Sequence, residues 1–313
     1  MLQFVLTRLL RALVTLFIII TFAFFVLRLA GDPASRFFDP SQTPPEVIAA
    51  FRRQWGLDQP VWVQFYRYII AVLHGDLGNS MRENRSAVET VLSKLPATLE
   101  IMVPTLIIKT ILGIAAGVTA ALHRNSVFDR MIMSLSVLGF TVPTFVLALV
   151  LALIFAVQLR WLPSGGYSTV SHMILPVATL SIAGAAVIAR YTRSAMIEVL
   201  GRPFVRTAAA KGVRSSEVVT RHVLPNAAVP IVTIFGFMMG SLVGGSVIVE
   251  SVFSWPGIGR LLVASVQARD LAVVQVILLL IGALMVFSNL VVDLLYGLID
   301  PRMRSRGGRA QAA

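Results

Sequence analysis

Cysteine is absent from this 313-residue chain, which excludes disulfides, thiolate metal sites and a cysteine nucleophile. Charge is scarce: 13% of residues are Asp, Glu, Lys or Arg, against about 25% in soluble domains. The dipeptide Gly-Lys never occurs, so there is no G-x-x-x-x-G-K loop to cradle phosphates. The four histidines, His74, His123, His172 and His222, are scattered and show no paired metal-ligand spacing. Each reads as a surface or interfacial histidine. No Ser–His–Asp arrangement can be defended from order or spacing.

What the chain has in abundance is apolar sequence, 57% of residues. Crossing a bilayer takes about 20 mostly apolar residues. Six segments qualify: Leu9–Ala30, Ile101–Leu122, Met131–Val157, His172–Tyr191, Ala227–Val249 and Leu271–Ile299. The fourth has Pro176 and Arg190 near its ends but no charge between Val177 and Ala189. The first follows Arg8 and Arg11 like a signal peptide, yet its apolar run continues to Leu29, so it is expected to stay as a span.

With 27 basic and 15 acidic residues the net charge is +12, and a nucleic-acid partner has to be weighed. Placing both termini inside answers it. The inner segments then hold fifteen basic residues and only four acids, whereas the outer segments are nearly balanced. The excess falls where the positive-inside rule expects it. Topology accounts for the basicity, and nucleic acid is not needed.

Two connections are too long for plain hairpins. Residues 31–98 form a polar insertion with helical spacing at Pro45–Trp55 and Val61–Leu73, expected to be a small helical subdomain on the outer surface. The inner loop of about 192–226 reads as two short helices broken at Gly212. Ser215 is expected to cap the second, Glu217 to favour its first turn, and Pro225 to stop it before the next span.

That inner loop carries Arg206-Thr207-Ala208-Ala209-Ala210-Lys211-Gly212, then nine residues, then His222-Val223-Leu224-Pro225. It resembles the E-A-A loop of ABC importer permeases. Ala208, Gly212, Leu224 and Pro225 match in register, while Arg206, Thr207 and His222 depart from the general pattern in the manner of the peptide-transporter branch. Further stretches resemble the same family in order along the chain: Gly31-Asp32-Pro33, Gly56–Pro60, Gly75–Ser80, Pro96–Glu100, Gly244-Gly245, Glu250–Gly259, Asp293–Tyr296 and Asp300–Arg302. Ala30 stands where the family commonly has proline. The resemblance is to the inner-membrane permeases of dipeptide, oligopeptide and nickel importers.

Within the spans, Lys109 falls near mid-bilayer, where a lysine is expensive and marks a functional hypothesis. It could offer its charge to a peptide carboxylate or serve a structural partner, and both readings stay open. Asp293 lies nearer the inner end, suited to a structural or gating role. Glu250, Trp255 and Pro256 open a segment that the resemblance places at the outer mouth of the pathway; the alternative for Trp255 is an interfacial anchor. Gly236, Gly240 and Gly244 repeat every four residues, a spacing that lets helices approach closely. Pro104, Pro143, Pro176 and Pro230 would kink their helices.

The resemblance implies an all-α integral membrane protein with six transmembrane helices and a type I ABC importer permease fold. The expected divisions are 1–30, an N-terminal transmembrane helix; 31–98, an extracytoplasmic insertion between helices 1 and 2; 99–300, the permease core; and 301–313, a basic cytoplasmic tail. The expected partners are a second homologous permease, two cytoplasmic ABC ATPases, an extracytoplasmic solute-binding protein and the lipid membrane. ATP and Mg would be bound by the ATPases and no cofactor by this chain, which is read as a non-catalytic translocation subunit. A bacterial or archaeal inner membrane is the expected location, with both termini cytoplasmic. The substrate class implied is dipeptides, oligopeptides or similar small solutes. The alternative, an ion-gradient-driven secondary transporter, is disfavoured because only Lys109 and Asp293 are charged within the spans away from their ends.

Overall fold

The computed structural model describes residues 2–29, 31, 34, 38, 39 and 41–299. Among them there are helices and loops and no strand beyond one isolated bridge, Asn79 with Ser86. Helices α1 (Leu2–Leu29), α2 (Pro45–Gln54), α3 (Val61–Leu73) and α4 (Ala87–Leu92) precede the long α5 (Leu95–Leu122). Next come α6 (Val127–Thr141), α7 (Thr144–Ala152), which runs into a π turn at Leu153–Gln158, and α8 (Ser171–Leu200). The chain closes with α9 (Pro203–Ala210), α10 (Ser215–Glu217), a second π turn (Val218–Val223), α11 (Leu224–Val252), α12 (Ile258–Ala268) and α13 (Leu271–Ile299). The tail 301–313 lies outside the described residues.

Five of these helices are long and apolar enough to cross a membrane alone, and a sixth crossing exists only if α6 and α7 count together. The expected third span, Met131–Val157, is therefore corrected: it is two helices meeting at 103°. Pro143 is the cause. A proline pushes the residue before it out of the helical region, and Val142 is extended at φ −71°, ψ 122°. By contrast Pro104, Pro176 and Pro230 sit inside continuous helices.

Contacts divide the chain into two units, residues 1–98 with 256–284, and 99–255 with 285–313. In the first, α1 meets α3 through Phe24, which stacks on Tyr68 and lies edge-on to Phe65. A separate core gathers Ala87 and Val91 of α4 with Ile258, Val273, Val276 and Ile277. Two polar pins hold its loops. The Ser80 hydroxyl donates to the buried Asp270 carboxylate, which also accepts the Met81 N–H at 3.3 Å. The Thr98 hydroxyl accepts the Ile258 N–H at 2.8 Å, satisfying one of the donors that a helix start leaves open. The family-like stretches at 75–80 and 96–100 thus each supply a pin.

In the second unit α8 is the hub, with α6, α7 and α11 packed on it. Its contact with α5 is closer still. A Cβ at Gly113 would lie 2.6 Å from Ile188 Cβ, and one at Gly117 would lie 2.5 Å from Thr192 Cβ and 2.6 Å from the Ala189 carbonyl oxygen. Only glycine allows that approach. The register rises together, 113 with 188 and 117 with 192, so α5 and α8 run parallel.

Gly117→Ala is expected to destabilise the protein by about 1–3 kcal/mol, the usual cost of overpacking, and Gly117→Leu to prevent accumulation. Thermal melting of the detergent-solubilised protein checks this; an alanine variant melting at the wild-type temperature would show that the helices part easily.

Candidate functional site

The loop after α8 is built by local rules. Arg202 takes an extended conformation and Pro203 occupies the first turn of α9, where its missing N–H costs nothing. At the other end the Gly212 N–H donates to the Ala209 carbonyl at 3.0 Å, and the Val213 N–H to the Ala208 carbonyl at 3.3 Å. Those two bonds, with Gly212 at φ +80°, make the Schellman motif that ends helices on a left-handed glycine. The spacing Ala208 to Gly212 is the spacing of that motif. A Cβ at Gly212 would meet nothing within 4 Å, so in this chain glycine is required by conformation alone.

Val205 is buried, in one cluster with Met196 and Val199 of α8, Val218 and Val223 of the π turn, and Ala227 and Ile231 of α11; Ala208 and Val213 pack against it. This anchors α9 by one face. Arg206, Thr207, Ala209, Ala210, Lys211 and Gly212 are exposed on the other. So is Phe204, at 41%, a residue the sequence pattern did not single out. His222 and Leu224 are half-buried, and the Asn226 amide donates to the His222 carbonyl at 2.7 Å. Two expectations are corrected. Arg214, not Ser215, is the N-cap residue, and its side chain makes no capping bond. Pro225 stops nothing: it lies in the first turn of α11, into which the π turn runs directly.

Behind the loop, α8 is tied to the start of α6. Ser126 caps α6 by accepting the Asp129 N–H at 3.2 Å. The Asp129 carboxylate, 3% exposed, accepts the Asn125 N–H at 2.9 Å and both Nε and Nη2 of Arg193 at 2.6 and 2.7 Å. A forked guanidinium–carboxylate pair fixes geometry as well as charge. Separated by 64 residues, this pair had no sequence signature.

Lys109 is 2% exposed and its Nζ donates to the Met238 carbonyl at 2.9 Å. It lines a cavity of about 280 Å³ with Gly139, Phe140, Thr144, Leu180, Gly184 and Leu242 among the walls. A Cβ at Gly184 would strike Lys109 Cδ at 2.6 Å. Where α11 ends, Glu250 and Trp255 are buried, at 0% and 1%, and the Trp255 N–H donates to the Glu250 carbonyl at 2.8 Å. Burial removes the reading of Trp255 as an exposed anchor. Tyr167 lies edge-on to its ring at 4.8 Å and donates to Glu100 at 3.0 Å, which raises the phenol above its ordinary range. Pro256 is half-buried just beyond. The Asp293 side chain lies outside the described residues.

Of the three spaced glycines, a Cβ at Gly236 would run into Val292, one at Gly240 would come only to 3.9 Å from Met285, and one at Gly244 would meet nothing within 4 Å. These residues form no single site with the others. The structure separates a surface loop, a cavity at Lys109 and a tryptophan-centred turn.

The family described as the inner membrane component of binding-protein-dependent transport systems matches residues 113–305, and the N-terminal membrane component of the same systems matches residues 1–102. The chain belongs to this family. It is a permease of the dipeptide and oligopeptide branch of type I ABC importers. Among its relatives, the glutathione transport system permease protein GsiC of Salmonella paratyphi A is 46% identical over 305 residues, covering 97% of this chain and 99% of that protein. The GsiC of Escherichia coli K12 is 44% identical over the same length. The inward-facing MetNI methionine ABC transporter shares the fold, with a TM-score of 0.56 over 67% of this chain and 96% of its own, at 17% identity. Membership implies a multi-pass protein of the bacterial inner membrane that works with an ATPase and a binding protein. Nothing in these comparisons favours the secondary-transporter alternative.

Asp129→Asn and Arg193→Met are each expected to destabilise this permease. Their double mutant should be less damaged than the sum, by about 1–3 kcal/mol of coupling. Melting of the four proteins in detergent measures it, and strict additivity would show that the pair does not couple α6 to α8.

Proposed function

We propose that this permease is one of two related but different membrane subunits in an importer of short peptides, with glutathione, the solute named for its GsiC relatives, as the first candidate. Two separate ATPase subunits bind ATP and Mg and hydrolyse the nucleotide. This chain moves solute and catalyses nothing. Both termini are cytoplasmic, and the insertion at 31–98 faces the binding protein on the other side, as the basic residues of the connecting loops favour. The parallel course of α5 and α8 agrees, since the second and fourth crossings of such a chain run the same way.

The observation that carries the reading is the loop at 203–225. It presents a helix that is anchored by Val205, stopped by a left-handed Gly212, and exposed along Arg206, Thr207, Ala209, Ala210 and Lys211. Small residues let such a helix seat shallowly in a groove of the ATPase. The ion pairs Arg202–Glu198 and Arg221–Glu217 flank it at 2.6 and 2.7 Å and are too exposed to contribute much stability. Closure of the ATPase dimer pushes on this helix, and the shared core with α8 and α11 passes the push to the membrane. Glu250, Trp255 and Pro256 belong to the gate at the opposite end.

A β-branched residue at a left-handed position costs about 1–2 kcal/mol, whereas asparagine tolerates it. Gly212→Val complexes are therefore expected to insert normally, to lose most solute uptake and to lose stimulation of ATP hydrolysis, with Gly212→Asn closer to wild type. Uptake and hydrolysis in proteoliposomes are the measurements; wild-type rates for the valine variant would remove this loop as the coupling element.

A further inference from the structure

Lys109 has three N–H donors, and among the described residues the Met238 carbonyl is its one hydrogen-bond partner. No carboxylate lines its cavity among those residues; the walls include Phe140, Val142, Leu180, Val187, Leu242 and glycines, with Thr144 as the other residue with a polar side chain. An ammonium held at this depth without an opposing charge is costly, and an arriving anion would relieve that cost.

A second cation continues from the same wall. Leu180, Ala183, Gly184 and Val187 of α8 line the cavity, and Arg190 is the next position on that face. Its guanidinium lies over the Phe140 ring at 4.9 Å and the Tyr191 ring at 5.6 Å, a stacking that suits a weakly hydrated guanidinium. Phe140 is itself a cavity wall, so one aromatic ring joins the two charges. From Gly184, against which Lys109 lies, to Arg190 is about 9 Å of helix. Drug-sized ligands fill pockets of about 300–1,000 Å³. This cavity of about 280 Å³ takes the end of a small peptide rather than the whole.

Resting on the reading of this chain as a peptide permease, we infer that the cavity is a carboxylate-binding station on the translocation pathway: Lys109 pairs with a carboxylate of the passing solute, and Arg190 on Phe140 receives it next along α8. The substrate class is short peptides bearing a free carboxylate.

The absence of cysteine from this chain makes the test direct. Ala183→Cys places one thiol on the cavity wall, in the complete complex reconstituted with a cysteine-free ATPase and partner permease. N-acetylglycine at millimolar concentration is expected to slow its alkylation by N-ethylmaleimide at least threefold, and N-acetylglycinamide to leave the rate unchanged. Lys109→Met should abolish the difference and Lys109→Arg retain it. Equal effects of acid and amide, or a difference that survives Lys109→Met, would overturn the assignment. So would a thiol that the reagent reaches in no nucleotide state. If Lys109→Met does not accumulate, the acid–amide comparison in the Ala183→Cys complex, which keeps Lys109, still decides. Glutathione uptake is scored separately in proteoliposomes: its absence removes glutathione as solute, while the alkylation rates alone judge the carboxylate site.

Discussion

Lys109, Gly113 and Gly117 lie on one face of α5, and the residues they meet on α8 are Gly184, Ile188 and Thr192. Both series advance four residues at a time, so the two helices are meshed in parallel with a constant register. At two rungs α5 has only hydrogen where a side chain would stand, and at the third α8 does. Inside a bilayer no hydrophobic force pulls helices together, and close van der Waals contact has to do that work. The second unit is gathered on the same α8, on which α6, α7 and α11 all pack. The glycine at 184 also gives the long lysine side chain room to lie against the helix.

The same helix joins the two ends of the proposed mechanism. Below the rungs, Arg193 fixes α8 to the capped start of α6 through Asp129, and Leu200 leads into α9 with a single turn between. Met196 and Val199 share a core with Val205 of the loop. α9 is thus joined to α8 through packed side chains, and α8 to α6 through a forked ion pair. At the first rung, α8 carries the wall of the Lys109 cavity. α8 is thus in packed contact with both places, and the α6–α7 pair that rests on it is bent by 103° at Pro143.

Much of this was legible in the sequence where one residue type has one physical meaning. Apolar run length located the long helices, and helical spacing located Pro45–Gln54 and Val61–Leu73 within a residue. Gly212 was readable because a left-handed helix end needs glycine whatever surrounds it. Other features depend on partners distant in the chain. Gly113-x-x-x-Gly117 has the same spacing as Gly236, Gly240 and Gly244, and nothing in the pattern says which set meets a helix of its own chain. Asp129 and Arg193 looked like ordinary loop and span-end charges. Pro225 looked like a stop because it follows a short helix, yet a first-turn proline is equally at home at a helix start.

Trp255 shows how burial changes a reading. At a membrane boundary a tryptophan anchors by leaving its ring at the surface, but this one is enclosed, with Tyr167 edge-on and Phe253 buried two residues before it. Gly166 donates to the Phe253 carbonyl at 2.9 Å, and Tyr167 is held in turn by Glu100. The loop after α7 is thus fastened to the end of α11 and, through Glu100, to the beginning of α5's course in the second unit. Opening this turn would expose a large ring and break an aromatic contact worth about 0.5–1.5 kcal/mol beyond its area. At the other end α9 exposes small residues and is held by one buried valine. The two ends are therefore built differently: the tryptophan turn is enclosed and cross-tied, while α9 stands on one buried side chain and leaves its small residues open.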